Sequence, residues 1–246
     1  MNAQYDNIAE QYARTKDSPL RRWVEQPSFL GMVGEVRGLR VLDLACGDGF
    51  YTRALKAAGA AEVVGVDISP AMVALATQRE QESPAGIRYV CADAAGLPEL
   101  GTFDRVVAAY LLHYAPDRSA LAAMCSGVAR CLDAGGQFVT LNENPAQPDE
   151  QGGAYLSYGF AKSLHGAAED GAVIRYRMLA GRESFGFEAY YYSRATYETT
   201  LHRAGFTRLQ WHELVVDPAG IEAMGADYFR AYLAQPPVIG LSCRRG

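Results

Sequence analysis

Residues 40–49 read RVLDLACGDG, an apolar run that ends in a glycine turn, and this stretch decides the fold. The run predicts a buried strand, and FYTRALKAAG after it predicts a helix that Gly59 closes. Glycines at 47 and 49 let the backbone approach a ligand closely, and the N-terminus of a helix supplies N–H groups to bind it. An ordinary strand-to-helix turn has the same pattern, so the turn alone does not identify a ligand.

The alternation of strands and helices continues downstream. Ser69-Pro70 and Asp117 have the residue types that open helices, and Gly135-Gly136 is predicted to end the second of these. Further strands are predicted at 62–68, 87–93, 103–112 and 137–143. Strands that alternate with helices predict an α/β fold with a parallel, doubly wound sheet.

The first 36 residues read as helices that precede the sheet. Tyr5, Ile8 and Tyr12 fall on one helical face, and a second helix opens at Ser18 and ends at Pro27. We expect residues 1–36 to act as a helical lid, because two phenol rings on one face can point at a single pocket. A helix permanently docked on the sheet edge is the alternative.

After residue 145 the pattern changes. We expect 146–192 to be an insertion that caps an acceptor pocket, with a short helix over 155–166 and a hairpin of strands 172–179 and 184–192. The last part, 193–246, is predicted to close the sheet with strands at 207–216 and 238–243, a helix capped by Ser193 and a helix over 217–233. With 37–145 as the cofactor-binding half, the chain of 1–246 reads as one domain.

Composition excludes several classes of protein. The chain has 246 residues, a net charge of −5 and no apolar run long enough to cross a membrane. The acidic balance disfavours a nucleic-acid partner, and the first residues carry no secretory signal, so a cytoplasmic location is expected. Five cysteines without a CxxC pattern favour reduced thiols over a metal site or disulfides.

Two acidic residues sharpen the interpretation of the glycine turn. Asp67 follows the second strand, where a carboxylate can accept hydrogen bonds from both hydroxyls of a ribose. Asp93 follows the third strand, where a carboxylate can accept a hydrogen bond from an adenine amine. Together with Asp43 on the first strand, they are predicted to lie along one edge of the sheet, which makes three unrelated turn residues a poor explanation.

In order and spacing, VLDLACGDG, VVGVDIS, YVCADA and FDRVVAAYLLHY resemble the class I S-adenosylmethionine-dependent methyltransferases. The resemblance implies a Rossmann-like, mostly parallel seven-stranded sheet with helices on both faces and an antiparallel closing strand. It also implies S-adenosyl-L-methionine as cofactor, S-adenosyl-L-homocysteine as product, and no metal.

The same resemblance assigns the cofactor site. Asp43, Gly47 and Gly49 would hold the methionine part, Asp67 the ribose, and Tyr110 would lie beside the sulfonium. Ala45 stands where the family commonly has glycine, which is tolerable if the backbone there is in the β region. The complete set of expected cofactor-binding residues is Asp43, Ala45, Gly47, Gly49, Tyr12, Asp67, Ile68, Met72, Asp93, Ala94 and Tyr110.

On the acceptor side, His113 follows the fourth strand and could remove a proton from an N–H or O–H group. A histidine that only hydrogen-bonds the neighbouring loop is the alternative. Tyr5 is a second catalytic candidate. Aromatic rings crowd the insertion and can stack on a flat acceptor, although alternating aromatics also form cores. The expected substrate-binding residues are Tyr5, Tyr114, Asn142, Tyr155, Tyr158 and Tyr191.

A narrower resemblance concerns the substrate. YDNIAEQYARTKDSPLRRWVE and AYYYSRATYETTLHRAGF are similar to small-molecule methyltransferases of bacterial secondary metabolism, in particular the toxoflavin-type azapteridine N-methyltransferases of antibiotic biosynthesis. N-methylation of a planar heteroaromatic natural product is therefore expected, with C- or O-methylation of an aromatic metabolite as the alternative. A monomer or homodimer is expected.

Other functions fit the residues less well. A dinucleotide-binding dehydrogenase would need a third glycine where Thr52 stands. A methyltransferase of DNA bases or protein glutamine would often carry an Asn/Asp-Pro-Pro-Tyr turn after the fourth strand, and a metal-dependent catechol transferase would need carboxylates there. Residues 110–114 supply neither. A non-catalytic, cofactor-binding regulator remains open.

Overall fold

A seven-stranded sheet lies at the centre of the computed structural model, which describes residues 18–149, 153–180 and 183–246. The predicted lid residues Tyr5, Ile8 and Tyr12 lie outside the described residues. The strands are β1 (Arg40–Leu44), β2 (Glu62–Asp67), β3 (Arg88–Cys91), β4 (Phe103–Ala109), β5 (Leu132–Glu143), β6 (Phe160–Leu164), β7 (Val173–Ala180), β8 (Glu183–Tyr190), β9 (Phe206–His212) and β10 (Val238–Arg245).

The order of the large sheet is β3-β2-β1-β4-β5-β10-β9. Strands β3, β2, β1, β4 and β5 pair in parallel, whereas β10 runs antiparallel to both β5 and β9. The Rossmann-like fold with a mostly parallel sheet and an antiparallel closing strand, predicted from the sequence, is confirmed.

Helices surround this sheet, and the predicted caps of three of them are confirmed. The side chains of Ser69, Asp117 and Ser193 each accept a hydrogen bond from a backbone amide in the first helical turn. The helical segments are a π-helical turn (Arg21–Glu25), α1 (Gln26–Val33), α2 (Phe50–Ala57), α3 (Pro70–Glu82), α4 (Arg118–Arg130), α5 (Arg194–Arg203), α6 (Pro218–Met224) and α7 (Ala226–Ala234).

Two apolar clusters cover opposite faces of the sheet, because successive side chains of a strand point to opposite sides. Leu42 and Leu44 of β1 belong to the cluster that includes Leu121 of α4. Val41 belongs to the other cluster, with Phe29 of α1 and Tyr51 of α2. Both faces of β1 are therefore buried, as its continuous apolar sequence predicts.

Pro27 does not end the N-terminal helix, contrary to the prediction; the helix continues to Val33. Proline has no N–H to donate to the carbonyl of Trp23 four residues earlier. That carbonyl instead accepts the amide of Asp217 at 2.8 Å. The π-helical turn before Pro27, in which the amide of Gln26 donates to the carbonyl of Arg21, widens the helix at this point.

Two other predicted helix boundaries were wrong. Helix α4 ends at Arg130, and the Gly135-Gly136 pair lies within β5, where the register with β4 shifts between Phe103 and Arg105. The glycines thus form a strand irregularity and not a helix stop. The single helix expected over 217–233 is two helices, because Gly225 has a φ of 79° that an α-helix does not accommodate.

The insertion forms a separate three-stranded sheet of order β6-β7-β8. The predicted hairpin is confirmed, with β7 and β8 antiparallel. The short helix expected over 155–166 was wrong: a single 3₁₀ turn, Leu156–Tyr158, ends at Gly159 with a φ of 85°, and the residues after it pair with β7 as β6. We call this three-stranded sheet the cap.

Gly65 on β2 is required by close packing. A Cβ atom at this position would lie 2.7 Å from Cδ1 of Tyr89 and 3.0 Å from Sγ of Cys46. Tyr89 pairs with Gly65 across the β2–β3 ladder, so its ring lies flat over the glycine. The phenol oxygen is buried, and burial raises the pKa of Tyr89 to about 12.

We expect Gly65→Ala to lower the free energy of unfolding by about 1–3 kcal/mol, since the added methyl group forces the Tyr89 ring from its place. Urea unfolding measures the change. Gly31→Ala is the matched control, because nothing lies within 4 Å of a Cβ there, and it should be neutral or stabilising. Equal stability of Gly65→Ala and the wild type would contradict the packing argument.

Within the described ranges, no helix is both long and apolar enough to cross a lipid bilayer.

Candidate active site

The parallel register brings the carboxyl ends of five strands to one edge of the sheet. Leu44 of β1 lies opposite Val66 of β2 and Ala108 of β4. The glycine turn follows β1 at this edge, and the backbone amide of Cys46 donates to the carbonyl of Val66 at 3.0 Å. Ligands of open α/β sheets bind at this edge, so it is the place to look for a site.

The glycine turn has an unusual backbone. Gly47 and Gly49 have φ values of 56° and 81°, in the left-handed region that glycine favours. Ala45 also has a positive φ, 55°. The condition under which alanine would be tolerated at this position, a β-region backbone, is therefore not met, and its methyl group costs roughly 1–2 kcal/mol there.

Asp67 ends β2 and holds the turn. Its Oδ2 accepts the amide of Gly47 at 2.8 Å, and its Oδ1 accepts the amide of Ser69 at 2.9 Å. The side chain links the two loops that follow β1 and β2.

Asp43 is buried behind the turn. Its Oδ2 accepts a hydrogen bond from the hydroxyl of Thr52 at 2.6 Å, and neither residue has more than 1% of its surface exposed. Thr52 is the residue that replaces the third glycine of a dinucleotide-binding motif. Its hydroxyl fixes the Asp43 carboxylate against the first turn of α2, a role that the sequence did not indicate.

Asp48 ties the glycine turn to α3. Its buried carboxylate pairs with the guanidinium of Arg79, and its backbone carbonyl accepts a hydrogen bond from Arg53 at 2.7 Å. Asp48 and Arg79 are far apart along the chain, so no local sequence pattern predicts this contact.

The remaining predicted cofactor residues lie on the adjacent loops. Oδ1 of Asp93 accepts the amide of Ala95 at 2.8 Å and so caps the short turn that contains Ala94. Ile68 is partly exposed at the end of β2, and Met72 is buried in the first turn of α3. The structure brings these residues to the same sheet edge as Asp67.

A cavity of about 500 Å³, including its open mouth, lies between this edge and the cap. Aromatic rings form much of its wall, and the rings of Tyr176 and Phe187 stack with centroids 5.0 Å apart. Its lining residues from the sheet edge, the N-terminal helix, the cap and the segment around α7 include Tyr110, His113, Tyr114, Glu143, Arg21, Glu25, Phe160, Tyr176, Phe187 and Tyr232.

His113 is buried in the wall of the cavity. Its Nδ1 accepts the backbone amide of Glu143 at 3.3 Å, and burial lowers the pKa of His113 to about 4. The ring is therefore neutral near pH 7, with its proton on Nε2. This arrangement favours a hydrogen-bond donor over the general base that the sequence predicts.

A buried ion pair joins the cap to the sheet. Nζ of Lys162 on β6 lies 2.6 Å from Oε2 of Glu143 at the end of β5, and the Tyr176 hydroxyl donates to Oε1 of Glu143 at 2.6 Å. The lysine side chain has no exposed surface. The carbonyls of Gln147 and Pro237 also accept hydrogen bonds from Nζ, at 2.7 and 3.3 Å.

A second ion pair lines the cavity from the N-terminal helix. Nε of Arg21 lies 3.0 Å from Oε2 of Glu25, and the Tyr232 hydroxyl donates to Oε1 of Glu25 at 3.3 Å. The Arg21 guanidinium lies 5.4 Å from the ring centroid of Tyr110. Tyr110 has a φ of 71°, and burial raises its pKa well above the ordinary value of 10.

Comparisons with known proteins agree with this geometry. Residues 41–136 match a family model described as a methyltransferase domain. This segment, which is less than half of the chain, is similar to methyltransferase domains. The match supports S-adenosylmethionine as the cofactor. The matched segment begins within β1 and contains Asp43, Asp67 and Asp93.

Sequence similarity to curated proteins covers about half of the chain. A ubiquinone biosynthesis O-methyltransferase from Bordetella avium is 30% identical over 133 residues, which are 52% of this chain and 52% of that protein. One from Xanthomonas oryzae is 33% identical over 116 residues, 46% of this chain and 47% of that protein. The chain thus spans about half the length of the curated relatives it matches.

Solved structures share the fold over nearly the whole chain. An S-adenosylmethionine-dependent methyltransferase from Mesorhizobium loti has 24% identity and a TM-score of 0.64, with 94% of this chain and 100% of that chain covered. The DhpI–SAM–HEP complex has 21% identity and a TM-score of 0.64, with 98% and 94% covered. The class I methyltransferase fold is therefore shown, and the toxoflavin-type subgroup is not among these relatives.

The predicted acceptor residues are only partly brought together. Tyr114 lines the cavity, with its ring centroid 4.5 Å from that of His113. Asn142 is buried in β5, and Tyr155 is buried in the core with its hydroxyl donating to the carbonyl of Gln235. Tyr158 donates to the carbonyl of Tyr228, and Tyr191 lies partly exposed after β8; neither is on the cavity wall.

No cluster of at least three His, Cys, Asp or Glu side chains in the described segments is arranged to hold a metal ion. Tyr5 and Tyr12 lie outside these segments, so their catalytic and cofactor-binding roles stay predictions.

We expect Asp67→Ala to weaken binding of S-adenosylhomocysteine by about 1–3 kcal/mol, or roughly five- to 150-fold. The change removes the acceptor that orders the Gly47 and Ser69 amides and that would bind the ribose hydroxyls. Titration calorimetry measures the affinity. Asp227→Ala, which removes an exposed carboxylate on α7, is the control and should leave affinity unchanged. An Asp67→Ala variant with wild-type affinity would reject the ribose assignment.

Proposed function

We propose that the protein is an S-adenosylmethionine-dependent methyltransferase whose acceptor is a small, planar heteroaromatic molecule bound in the cavity under the cap. The observation that carries this proposal is the position of the aromatic cavity, which opens at the same sheet edge as the glycine turn and Asp67. The wall of this cavity carries stacked aromatic rings, which suit a flat acceptor.

The residues present fit an adenosyl cofactor. Gly47 places a backbone amide without a side chain beside Asp67, and Asp67 offers a carboxylate at the strand end where ribose hydroxyls bind. When bound, S-adenosylmethionine supplies an activated methyl group, which passes to a lone pair of the acceptor as S-adenosylhomocysteine leaves. The protein contributes alignment: the loops after β1 and β2, together with Tyr110, hold the cofactor, and the cap holds the acceptor against it.

N-methylation is the first choice. His113 is neutral, and its Nδ1 accepts the Glu143 amide, so this ring is poorly suited to remove a proton from a phenol. A ring nitrogen with a free lone pair needs no such step. O-methylation is the second candidate, because curated relatives about 30% identical over half their length are named O-methyltransferases. C-methylation of an aromatic metabolite is a further alternative.

A labelled transfer assay tests the function. The protein is incubated with S-adenosylmethionine carrying a CD₃ group and with planar N-heterocycles, phenols and catechols, and products are identified by mass spectrometry and NMR. A CD₃ group on a ring nitrogen supports the first choice, and one on oxygen supports the second. Tight binding of S-adenosylhomocysteine without transfer to any class would favour a non-catalytic regulator, and no binding would reject the proposal.

The organisation and setting of the enzyme belong to the same proposal. Residues 1–36 act as a lid and 146–192 as a cap over the acceptor. The protein works in the cytoplasm in bacterial secondary metabolism, as a monomer or homodimer without nucleic-acid or membrane partners. The aromatic cavity supports the cap assignment, and the net charge of −5 supports the absence of a nucleic-acid partner.

A further inference from the structure

The polar part of the cavity wall contains a hydrogen-bond donor whose direction is fixed. Nδ1 of His113 accepts the amide of Glu143, so the proton of the neutral ring is on Nε2. Nε2 makes no hydrogen bond to any residue that the structure describes, and the ring lines the cavity. The wall therefore offers an N–H donor that a ligand can use.

A hydrogen-bond acceptor lies beside this donor. The Glu143 carboxylate also lines the cavity, and its residue carries the amide that His113 binds. Lys162 and Tyr176, both from the cap, hold its two oxygens at 2.6 Å each. These contacts use only part of the four lone-pair sites of a carboxylate, so the group can accept a hydrogen bond from a ligand.

We propose that His113 Nε2–H and the Glu143 carboxylate recognise the –NH–C(=O)– edge of a planar cyclic amide, with the ligand N–H donating to Glu143 and its carbonyl accepting from His113. This inference rests on the proposed function and names the acceptor class more closely. Lys162 is a positioning residue, because it holds the carboxylate and is not on the cavity wall. The Tyr176 hydroxyl also holds the carboxylate, while its ring lines the cavity.

The His113 donor and the Glu143 acceptor disfavour other flat ligands, because such ligands leave a buried polar group without a hydrogen bond. An aromatic diol can donate one O–H to Glu143, but the oxygen that accepts from His113 keeps an O–H without a partner. A lactim ether has no N–H for Glu143. Since Glu143 is 4% and His113 2% exposed, an unpaired group here is not rescued by bulk water.

Calorimetry on the protein loaded with S-adenosylhomocysteine tests the inference with matched probes. The probes are 4-quinazolinone, which has the cyclic amide edge, 4-methoxyquinazoline, which lacks its N–H, and catechol. We expect 4-quinazolinone to bind roughly 10- to 100-fold more tightly than either of the others, as one unpaired buried group implies.

Two variants locate the recognition. Glu143→Met/Lys162→Met removes both charges together, so neither is left unpaired in the interior. His113→Phe keeps an aromatic ring and removes the donor. Both should abolish the preference for 4-quinazolinone and retain the wild-type affinity for S-adenosylhomocysteine, which binds at the glycine turn.

The outcomes separate the inference from the function. Equal affinity for the probes, preference for catechol, or no binding of 4-quinazolinone to the loaded wild type overturns the inference and leaves the methyltransferase proposal standing. A preference that persists in both variants also overturns it. Failure of the wild type to bind S-adenosylhomocysteine overturns both.

Discussion

Lys162→Met is expected to lower the free energy of unfolding by about 3–5 kcal/mol, the range found when one partner of a buried ion pair is removed. The Glu143 carboxylate is 4% exposed, and without the lysine its Oε2 loses the cation 2.6 Å away. The carbonyls of Gln147 and Pro237 lose their donor as well. Urea unfolding followed by circular dichroism measures the loss.

Two further variants show whether burial is the cause. Lys56→Met removes a lysine whose Nζ donates to the Ala60 and Ala61 carbonyls near the surface. This change should lower the free energy of unfolding by less than about 1 kcal/mol, as is usual for surface substitutions. Glu143→Met/Lys162→Met should recover much of the stability that Lys162→Met loses. A Lys162→Met variant no less stable than Lys56→Met would show that the cap does not depend on this pair.

Stability is expected to fall by about 3 kcal/mol between pH 6.5 and pH 4 because of His113. Burial lowers its pKa from the ordinary 6.5 to about 4 in the folded protein. Between these values the unfolded chain binds more protons than the folded chain, so acid favours unfolding. Above pH 7 His113 causes no loss of stability, and by about pH 4 most of the loss that it causes has occurred.

The measurement compares urea unfolding of the wild type and His113→Gln at pH 7.5, 6, 5 and 4. The variant has no imidazole to titrate. Between pH 6.5 and pH 4 its free energy of unfolding should therefore fall by about 3 kcal/mol less than that of the wild type. Carboxylates titrate in both proteins, and the difference between them isolates His113. Parallel curves would mean that His113 takes up its proton in the folded state at an ordinary pKa.

Much of the fold could be predicted because its signals are local. The apolar run RVLDLA, the Ser69 and Asp117 caps and the alternating hairpin each follow from a few neighbouring residues. The Pro27 boundary failed because it depends on a distant partner. Pro27 remains helical because the Asp217 amide satisfies the Trp23 carbonyl, and nothing near Pro27 in the sequence reveals that contact.

The candidate site divides in the same way. The glycine turn and Asp67 follow strands in sequence, so strand order alone places them at one edge. The acceptor wall is different, because Glu143 on β5 obtains its partners from Lys162 and Tyr176 on two strands of the cap. A lysine in an otherwise apolar and aromatic segment was the available signal. Tyr155 was predicted to bind substrate but is buried in the core. The sequence does not reveal this, because side-chain direction in an irregular insertion follows no simple period.

The contact between the first and last parts of the chain has a consequence for synthesis on the ribosome. The Ser28 hydroxyl donates to the Val215 carbonyl and accepts the Val215 amide, a separation of 187 residues. At translation rates of about 5–20 residues per second, the N-terminal helix waits roughly 10–40 s for that partner to emerge. During this time the apolar face that carries Phe29 has no completed sheet to cover it, so the nascent chain presents a surface that a chaperone can hold.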